Sequence, residues 1–261
     1  MSWTEVETTV QEASQHGTVG VSLIGPDGDR WSHHGQRQFP AASTVKTGIM
    51  VEVYRRIDRD ETMLGDLHIM KTSDRSNGSG VLRHMHEGIE LTVGDLLYLM
   101  MSISDNTATN MLIDLAGMDA VNATMRDLGM ASSNLGRKMM GRLAIEGEQE
   151  NLATPEDYTL AIGKILDGTA ASPESCDAMV ATLEKQQNSR RIARHLPEND
   201  EIRWGTKTGS NKGVTNDAGF IITPKGTLII AVYAEGLPDQ HIGEELIGDI
   251  TRAACAATGL L

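Results

Sequence analysis

Strand-like patterns occur only near the two ends of this chain, and a long stretch of helical pattern separates them. Apolar and polar residues alternate over 18–24 and 30–34, on either side of a Gly-Pro-Asp-Gly-Asp turn at 25–29, and alternate again beyond residue 201. Within 43–196, apolar side chains recur every three or four positions, as on the buried face of a helix. The strands from the two ends gain a stable apolar face by pairing with each other. The sequence therefore predicts one antiparallel sheet.

These patterns define a fold in which both chain ends contribute to the same layer. The predicted strands lie at 18–24, 30–34, 202–207, 217–223 and 227–234. The predicted helices lie at 2–15, 45–57, 93–101, 108–115, 120–128, 155–166, 173–186 and 241–257. We expect an α/β sandwich with a five-stranded antiparallel sheet flanked by the terminal helices. Residues 1–42 and 197–261 are assigned to this sheet lobe and 43–196 to an inserted all-α lobe of one compact unit. An active site is expected in the cleft between the lobes.

The charge of the chain excludes one class of partner. Its 261 residues include 36 acidic and 23 basic ones, so the formal net charge is −13. A phosphate backbone would be repelled by this charge. The two cysteines, Cys176 and Cys255, and the histidines lack the spacing of metal ligands. We predict no nucleic-acid partner, no metal and no cofactor.

The N-terminal sequence has no feature of a secretory signal. It lacks a basic start, an apolar stretch and a small-residue cleavage site, and no stretch reaches the roughly 18 apolar residues of a membrane span. We expect a cytoplasmic monomer with no membrane partner. A periplasmic or secreted location is the alternative if a signal peptide has been removed.

The first candidate for chemistry is the pair Ser43 and Lys46. It opens an apolar helical run, so the hydroxyl and the amine lie one turn apart on the same face. A serine hydroxyl is a weak nucleophile, and a desolvated lysine can lose its proton and serve as its base. The structural alternative is a capping serine followed by a surface lysine.

Ser104-Asp105-Asn106 is the second candidate, between two helical patterns. In a catalytic role, Ser104 would relay a proton to a leaving nitrogen and the Asn106 amide would bind a substrate carbonyl. The structural alternative is a helix N-cap, which all three residue types make well.

The third candidate, Lys207-Thr208-Gly209-Ser210, ends an alternating strand. A glycine there lets a ligand lie against the strand edge, and the Ser210 N–H could pair with that of Ser43 as an oxyanion hole. Lys207 and the hydroxyls of Thr208 and Ser210 suit a substrate carboxylate. The structural alternative is a basic edge strand that ends in a turn.

Together, these elements are the S-x-x-K, S-D-N and K-T-G set, in that order. The chain thereby resembles class A β-lactamases and penicillin-binding proteins, and the resemblance covers nearly its whole length. It implies an acyl-enzyme on Ser43, with Lys46 as candidate base, Ser104 as proton relay and residues 207–210 as the carboxylate clamp. The implied partner is a small molecule, either a β-lactam or an acyl peptide or ester.

Two positions depart from this family. Class A enzymes carry a loop glutamate, held by an arginine, that activates the water for release of the acyl group. Arg137 matches the arginine, but Met139 occupies the place of the glutamate and cannot accept a proton. Three carboxylates nearby could substitute for it if the loop is shifted, or could simply belong to a solvated acidic loop: Glu146, Glu148 and Glu150.

The second departure concerns the substrate carboxylate. No arginine follows Lys207 until Arg252, where many relatives place one near that carboxylate. Lys212 could supply a point charge there, without bidentate geometry, so weak binding of anionic substrates is expected.

Three functions remain open at this point. The leading one is a β-lactam hydrolase with an unusual route to deacylation. A D-alanyl peptidase or small-ester esterase, and a penicillin-binding protein that is acylated without turnover, share the same serine. Only the rate of acyl release separates them.

Overall fold

The computed structural model describes residues 2–261. The helices are α1 (Thr4–Ala13), α2 (Lys46–Asp58), α3 (Val93–Ser102), α4 (Asn106–Ala116), α5 (Met118–Asp127), α6 (Pro155–Leu166), α7 (Pro173–Leu183) and α8 (Gln240–Thr258). The strands are β1 (Thr18–Ile24), β2 (Arg30–His33), β3 (Phe39–Pro40), β4 (Leu67–Ile69), β5 (Glu90–Thr92), β6 (Leu152–Ala153), β7 (Arg203–Asn211), β8 (Val214–Thr223) and β9 (Gly226–Glu235). A short 3-10 helix, Ala42–Val45, leads into α2.

The main sheet confirms the predicted fold. Its five strands are antiparallel and lie in the order β2-β1-β9-β8-β7. The N-terminal and C-terminal parts of the sheet meet where β1 pairs with β9, from Thr18 opposite Glu235 to Ile24 opposite Ile229. This arrangement makes β7 an edge strand, beside the 3-10 helix that carries Ser43.

Both faces of the sheet are covered, which explains why its central strands are buried almost throughout. Phe220 and Ile221 are neighbours on β8, yet they pack into different hydrophobic cores, because successive side chains of a strand point to opposite faces. One core lies between the sheet and the helical lobe. The other lies between the sheet and the terminal helices, where Val10 of α1 and Ile247 of α8 are fully buried.

Helix boundaries follow local capping chemistry. Thr92, Asp105, Thr154 and Ser172 each accept a backbone N–H at the start of a helix. Helix α7 ends at Leu183, short of the predicted end, and the chain then enters the cleft between the lobes. In the described residues, no helix is long and apolar enough to cross a bilayer.

Candidate active site

Ser43 is held at a strained turn between β3 and α2. Ala42, the residue before it, has φ +48°, in the left-handed region that costs about 1–3 kcal/mol for a residue other than glycine. Neighbouring contacts fix this turn: Asn216 Nδ2 lies 3.3 Å from Ala41 O, and the Ala41 N–H donates to Asn151 O at 2.7 Å. The strain therefore serves to present Ser43 at the floor of the cleft.

Lys46 lies one turn further along and is completely buried. Its Nζ is 2.8 Å from Ser104 O, 3.0 Å from Ser104 Oγ and 2.8 Å from Asn106 Oδ1. Desolvation, assisted by the positive charge of Lys207, holds the pKa of Lys46 well below its ordinary value, and Asp105 opposes this shift. A buried lysine with a lowered pKa can exist as the neutral amine that a general base requires.

Ser104 connects the two buried lysines. Its Oγ lies 3.0 Å from Lys46 Nζ and 3.2 Å from Lys207 Nζ. Ser104 also has φ +59°, again in the left-handed region. A hydroxyl both donates and accepts, so this position suits the transfer of a proton from one side of the cleft to the other.

The structural and the catalytic interpretations of the Ser-Asp-Asn segment both describe part of what is observed. Asp105 caps α4, and it also accepts the backbone N–H groups of Val81 and Leu82 at 2.6 and 2.9 Å. Asn106 Nδ2 donates to Asn77 O at 2.8 Å, which leaves one amide hydrogen for a ligand. The middle residue therefore stabilises the loop, and the outer two border the cleft.

Strand β7 runs beside Ser43. A Cβ on Gly209 would lie 2.9 Å from Ala41 O and 3.1 Å from Ser43 N, so only glycine allows this approach without displacement. Lys207 is fully buried, and burial, with the nearby Arg191, lowers its pKa to about 7, although Asp217 opposes the shift. Ser210 and Thr208 border the cleft on this side.

An arginine that sequence analysis missed lies beneath this strand. Arg191 is buried, with an exposed fraction of 1%. It donates to Gly209 O at 2.9 Å, to Asn216 O at 2.7 Å and to the hydroxyl of Ser210. Arg191 is thus a second cation, besides Lys212, near the strand that contains Lys207 and Ser210. Arg191 precedes β7 in the chain, so a search for an arginine after Lys207 could not find it.

Met139 borders the cleft that contains Ser43 and Asn106. Its backbone is fixed on both sides, because its N–H donates to Asn110 Oδ1 at 2.8 Å and its carbonyl accepts from Ser76 Oγ at 2.6 Å. Its sulfur lies 3.8 Å from Asn151 Nδ2. A thioether thus occupies this position beside the cleft, 8% exposed.

The three loop carboxylates differ in their placement. Only Glu150 borders the cleft, where it lies 3.2 Å from Arg137 and accepts two backbone N–H groups. Glu148 pairs with Arg142 at 2.6 Å, which lowers the pKa of Glu148 to about 2. Glu146 is exposed. The structure therefore brings one of the three to the cleft, in contacts that tie the loop together.

A helical lobe is inserted into a five-stranded antiparallel sheet. The cleft contains a serine, two buried lysines and a second serine that lies between the lysines. Together these features define a serine hydrolase of the β-lactamase type. The chain belongs to the β-lactamase enzyme family, because residues 3–258 match the model of that family.

Similar structures agree with this assignment. The crystal structure of a β-lactamase from Sphaerobacter thermophilus has a TM-score of 0.98 and 56% sequence identity, and the match covers 100% of this chain and 99% of that one. PBP-A has a TM-score of 0.89 and 25% identity, with 98% and 96% coverage. An ancestral class A β-lactamase has a TM-score of 0.89 at 26% identity, with 97% and 99% coverage.

Two curated relatives are similar at comparable levels of sequence identity. The β-lactamase BRO-1 of Moraxella catarrhalis is 26% identical over 195 residues, which cover 74% of this chain and 62% of that protein. This chain thus spans about three fifths of that relative's length. The β-lactamase CTX-M-25 of Escherichia coli is 29% identical over 229 residues, 85% of this chain and 77% of that protein.

Proposed function

We propose that the protein opens β-lactam amides through an acyl-enzyme on Ser43 and that release of the acyl group is the slow step. The observation that carries the proposal is that Ser104 Oγ lies within hydrogen-bonding distance of two buried lysines, Lys46 and Lys207. In acylation, the neutral amine of Lys46 takes the hydroxyl proton of Ser43, and Oγ attacks the lactam carbonyl. The C–N bond then breaks, and Ser104 passes a proton to the leaving nitrogen.

The remaining groups bind and polarise the substrate. The backbone N–H groups of Ser43 and Ser210 would stabilise the oxyanion, worth about 3–4 kcal/mol per donor in comparable sites. The free amide hydrogen of Asn106 would bind the carbonyl of the acyl side chain. Lys207 and the Ser210 hydroxyl, held by Arg191, would bind the substrate carboxylate. The chain supplies all of these groups itself, which supports a monomer as the working unit.

Deacylation distinguishes this protein from a fast hydrolase. Hydrolysis of the ester needs a base for the attacking water, and a well-placed base contributes about 10²–10⁴-fold to the rate. Met139 cannot act as that base, and the ion pair with Arg137 occupies Glu150. Water therefore attacks without a dedicated carboxylate, or with Lys46 as its base, and the acyl-enzyme accumulates.

A second candidate function is a D-alanyl peptidase, a small-ester esterase or a penicillin-binding protein that is acylated without turnover. Met139 favours it, because these reactions do not require the loop glutamate. The likeness to PBP-A also favours it, since a leucine-to-glutamate variant of PBP-A has been solved as an acyl-enzyme complex with penicillin G.

The test follows hydrolysis of a chromogenic cephalosporin while intact mass is recorded, with Ser43→Ala as the control. We expect a burst of one equivalent, an adduct on the wild-type protein, a slow steady rate, and neither burst nor adduct in Ser43→Ala. A persistent adduct with no steady rate would support the second candidate instead. The absence of any adduct and of any turnover would refute reaction with β-lactams.

A further inference from the structure

Two glycines bring the backbones of two loops into contact beside the cleft. Gly78 belongs to the loop over 76–80 and Gly141 to the loop over 136–151, and both glycines border the cleft. A Cβ on Gly78 would lie 2.8 Å from Gly141 Cα, and a Cβ on Gly141 would lie 2.7 Å from Gly78 Cα. These neighbours are backbone atoms, which cannot turn aside as a flexible side chain can. A side chain at either position would therefore force the two loops apart.

The backbone conformation at both positions also favours glycine. Gly78 has φ +99° and Gly141 has φ +71°, in the left-handed region. Gly147, in the same loop as Gly141, has φ +84°, but nothing lies within 4 Å of an added Cβ there. Backbone conformation and close contact are thus separate requirements, and Gly147 has only the first.

The contact between the loops reaches the amide that is proposed to bind the substrate. Asn106 Nδ2 donates to Asn77 O at 2.8 Å, which orients the amide and leaves its second hydrogen for a ligand. A Cβ on Gly141 would lie 2.7 Å from that same carbonyl oxygen. A Cβ on Gly78 would lie 2.5 Å from Asn106 Nδ2 itself. The orientation of the Asn106 amide therefore depends on the fit between the two loops.

Hydrogen bonds dock the same two loops. Ser76 Oγ donates to Met139 O at 2.6 Å, so the backbone of one loop is held by a side chain of the other. The Asn106 N–H donates to Ser79 O at 3.0 Å, which ties the loop over 76–80 to the start of α4. The loop that contains Met139 is thus docked on the loop that holds Asn106.

We infer that Gly78 and Gly141 are positioning residues for recognition of the acyl side chain: their contact aims the free amide hydrogen of Asn106 into the cleft. This inference rests on the proposed function, in which that hydrogen binds the side-chain carbonyl of the substrate. The loop over 136–151 then takes part in substrate recognition whether or not position 139 carries a base. One neutral hydrogen bond is at stake, so we expect an effect of about threefold to tenfold.

Two acyl donors with the same bicyclic nucleus isolate this hydrogen bond. Benzylpenicillin has a side-chain carbonyl, and 6-aminopenicillanic acid has a free amine in place of the whole acylamino group. Second-order rate constants for acylation of Ser43 are measured by intact mass for the wild type, Gly78→Ala, Gly141→Ala and Gly147→Ala. Gly147→Ala is the matched control, because it introduces comparable backbone strain in the same loop without the contact. Amide hydrogen exchange over 76–80 is recorded for each protein.

We expect the ratio of the benzylpenicillin rate constant to the 6-aminopenicillanic acid rate constant to fall about threefold to tenfold in Gly78→Ala and Gly141→Ala. It should stay at the wild-type value in Gly147→Ala. The ratio cancels damage that affects both compounds alike, such as a shift of Lys46, which donates to Asn106 Oδ1. Exchange over 76–80 should accelerate in Gly141→Ala, although that substitution lies in the other loop.

An equal fall in both rate constants, or unchanged exchange over 76–80 in Gly141→Ala, would overturn the inference while leaving the proposed function standing. If the glycine variants do not fold, Ser76→Ala decides: it removes only the bond to Met139 O and should lower the same ratio, and an unchanged ratio would overturn the inference. If neither compound acylates Ser43 in the wild type, the proposed function fails as well.

Discussion

At the scale of single residues, two buried lysines flank one hydroxyl in the cleft. Lys46 and Lys207 are both fully buried, and Ser104 Oγ lies within 3.2 Å of each ammonium nitrogen. Burial disfavours both charges, but the proposed roles differ: Lys46 must lose its proton to act as base, whereas Lys207 must keep its proton to bind a carboxylate. The proposed reaction therefore needs two lysines in opposite protonation states.

The pH dependence of acylation should report on Lys207. Because the pKa of Lys207 is lowered to about 7, its ammonium is present below that pH and is lost above it. We expect the second-order rate constant for acylation by a penicillin to fall as pH rises through about 7. This rate constant reports the protonation state of the protein before substrate binds. Lys207→Arg should remove this decreasing limb of the pH–rate profile, because a guanidinium stays charged.

Asp217 provides an independent check on that assignment. It raises the pKa of Lys207, so Asp217→Asn should move the limb to lower pH. A neutral ester without a carboxylate should show no such limb. A limb that persists unchanged in Lys207→Arg would assign it to another group.

Met139→Glu tests the proposal that the site lacks a carboxylate base for deacylation. A carboxylate at this position faces the cleft with Ser43, and we expect release of the acyl group to accelerate about 10²-fold, measured as decay of the adduct mass. Met140→Glu is the matched control: Met140 is 43% exposed and Met139 only 8%, although both border the cleft. Equal acceleration in both variants would mean that added charge, and not a positioned base, is responsible.

Sequence reasoning located the residues whose motifs are local and missed the one whose partners are distant. Ser43 and Lys46 are three positions apart, so spacing alone predicts that they lie on one face, and in the structure the hydrogen bonds of Lys46 go to Ser104 and Asn106. Arg191 reaches Gly209, 18 positions later, only because β7 folds back over it. Met139 could be aligned from the sequence, but the fixing of its backbone by Asn110 became visible only in the structure.

At the scale of elements, the site depends on how closely one strand approaches one helix. Strand β7 and the 3-10 helix of Ser43 touch at Gly209, and no side chain separates them. The loop over 136–151 closes the opposite wall of the cleft through the pair of Arg137 and Glu150. The positions of these walls determine how accurately Ser43 meets a carbonyl.

Gly209→Ala should disable the site without unfolding the protein. Its Cβ would meet Ala41 O at 2.9 Å and Ser43 N at 3.1 Å, so the strand or the nucleophile must move by a few tenths of an ångström. A misplacement of about 1 Å can cost about 10²-fold in rate, so we expect this smaller shift to reduce acylation by about 10-fold or more. Gly65→Ala is the control, because nothing lies within 4 Å of its added Cβ. Acylation at the wild-type rate would show that β7 has room to move.

Glu150→Gln distinguishes a structural carboxylate from a catalytic one. If the pair with Arg137 ties the loop, amide hydrogen exchange over 136–151 should accelerate about tenfold, with Glu146→Gln unchanged as the control. If Glu150 is instead the base, loss of acyl release should occur with unchanged exchange in the loop.

Element boundaries were predictable where capping and alternation agree. Helix α6 begins at Pro155 and ends at Leu166, as its pattern predicts, since Thr154 caps it and proline fits its first turn. Strand β8 begins three residues before the predicted start, because Val214, Thr215 and Asn216 are all buried and show no alternation. The short pairs of β3 with β6 and β4 with β5 have too few residues to give a periodic signal.

At the scale of the whole molecule, one sheet belongs to two hydrophobic cores. Ile230 and Ala231 on β9 face different cores, so neither lobe has an independent set of strands. All three tryptophans of the chain pack against the core on the side of the terminal helices: Trp3, Trp31 and Trp204. Their fluorescence therefore reports on that side of the molecule.

The two lobes should unfold together. We expect denaturation curves from tryptophan fluorescence and from far-ultraviolet circular dichroism, which is dominated by helices, to coincide. Leu97→Ala in one core and Leu228→Ala in the other should each cost about 2–5 kcal/mol, and each should shift both curves equally. Separated transitions would show that the helical lobe is a domain of its own.

The pairing of β1 with β9 also has a consequence for synthesis. A ribosome releases the N-terminal hairpin more than 200 residues before its partner strand exists, as Thr18 and Glu235 are partners. During that interval the hairpin has an open edge of the kind that joins other chains. The wall of the cleft formed by β7 is also missing until late, so the cleft beside Ser43 is complete only after most of the chain has been made.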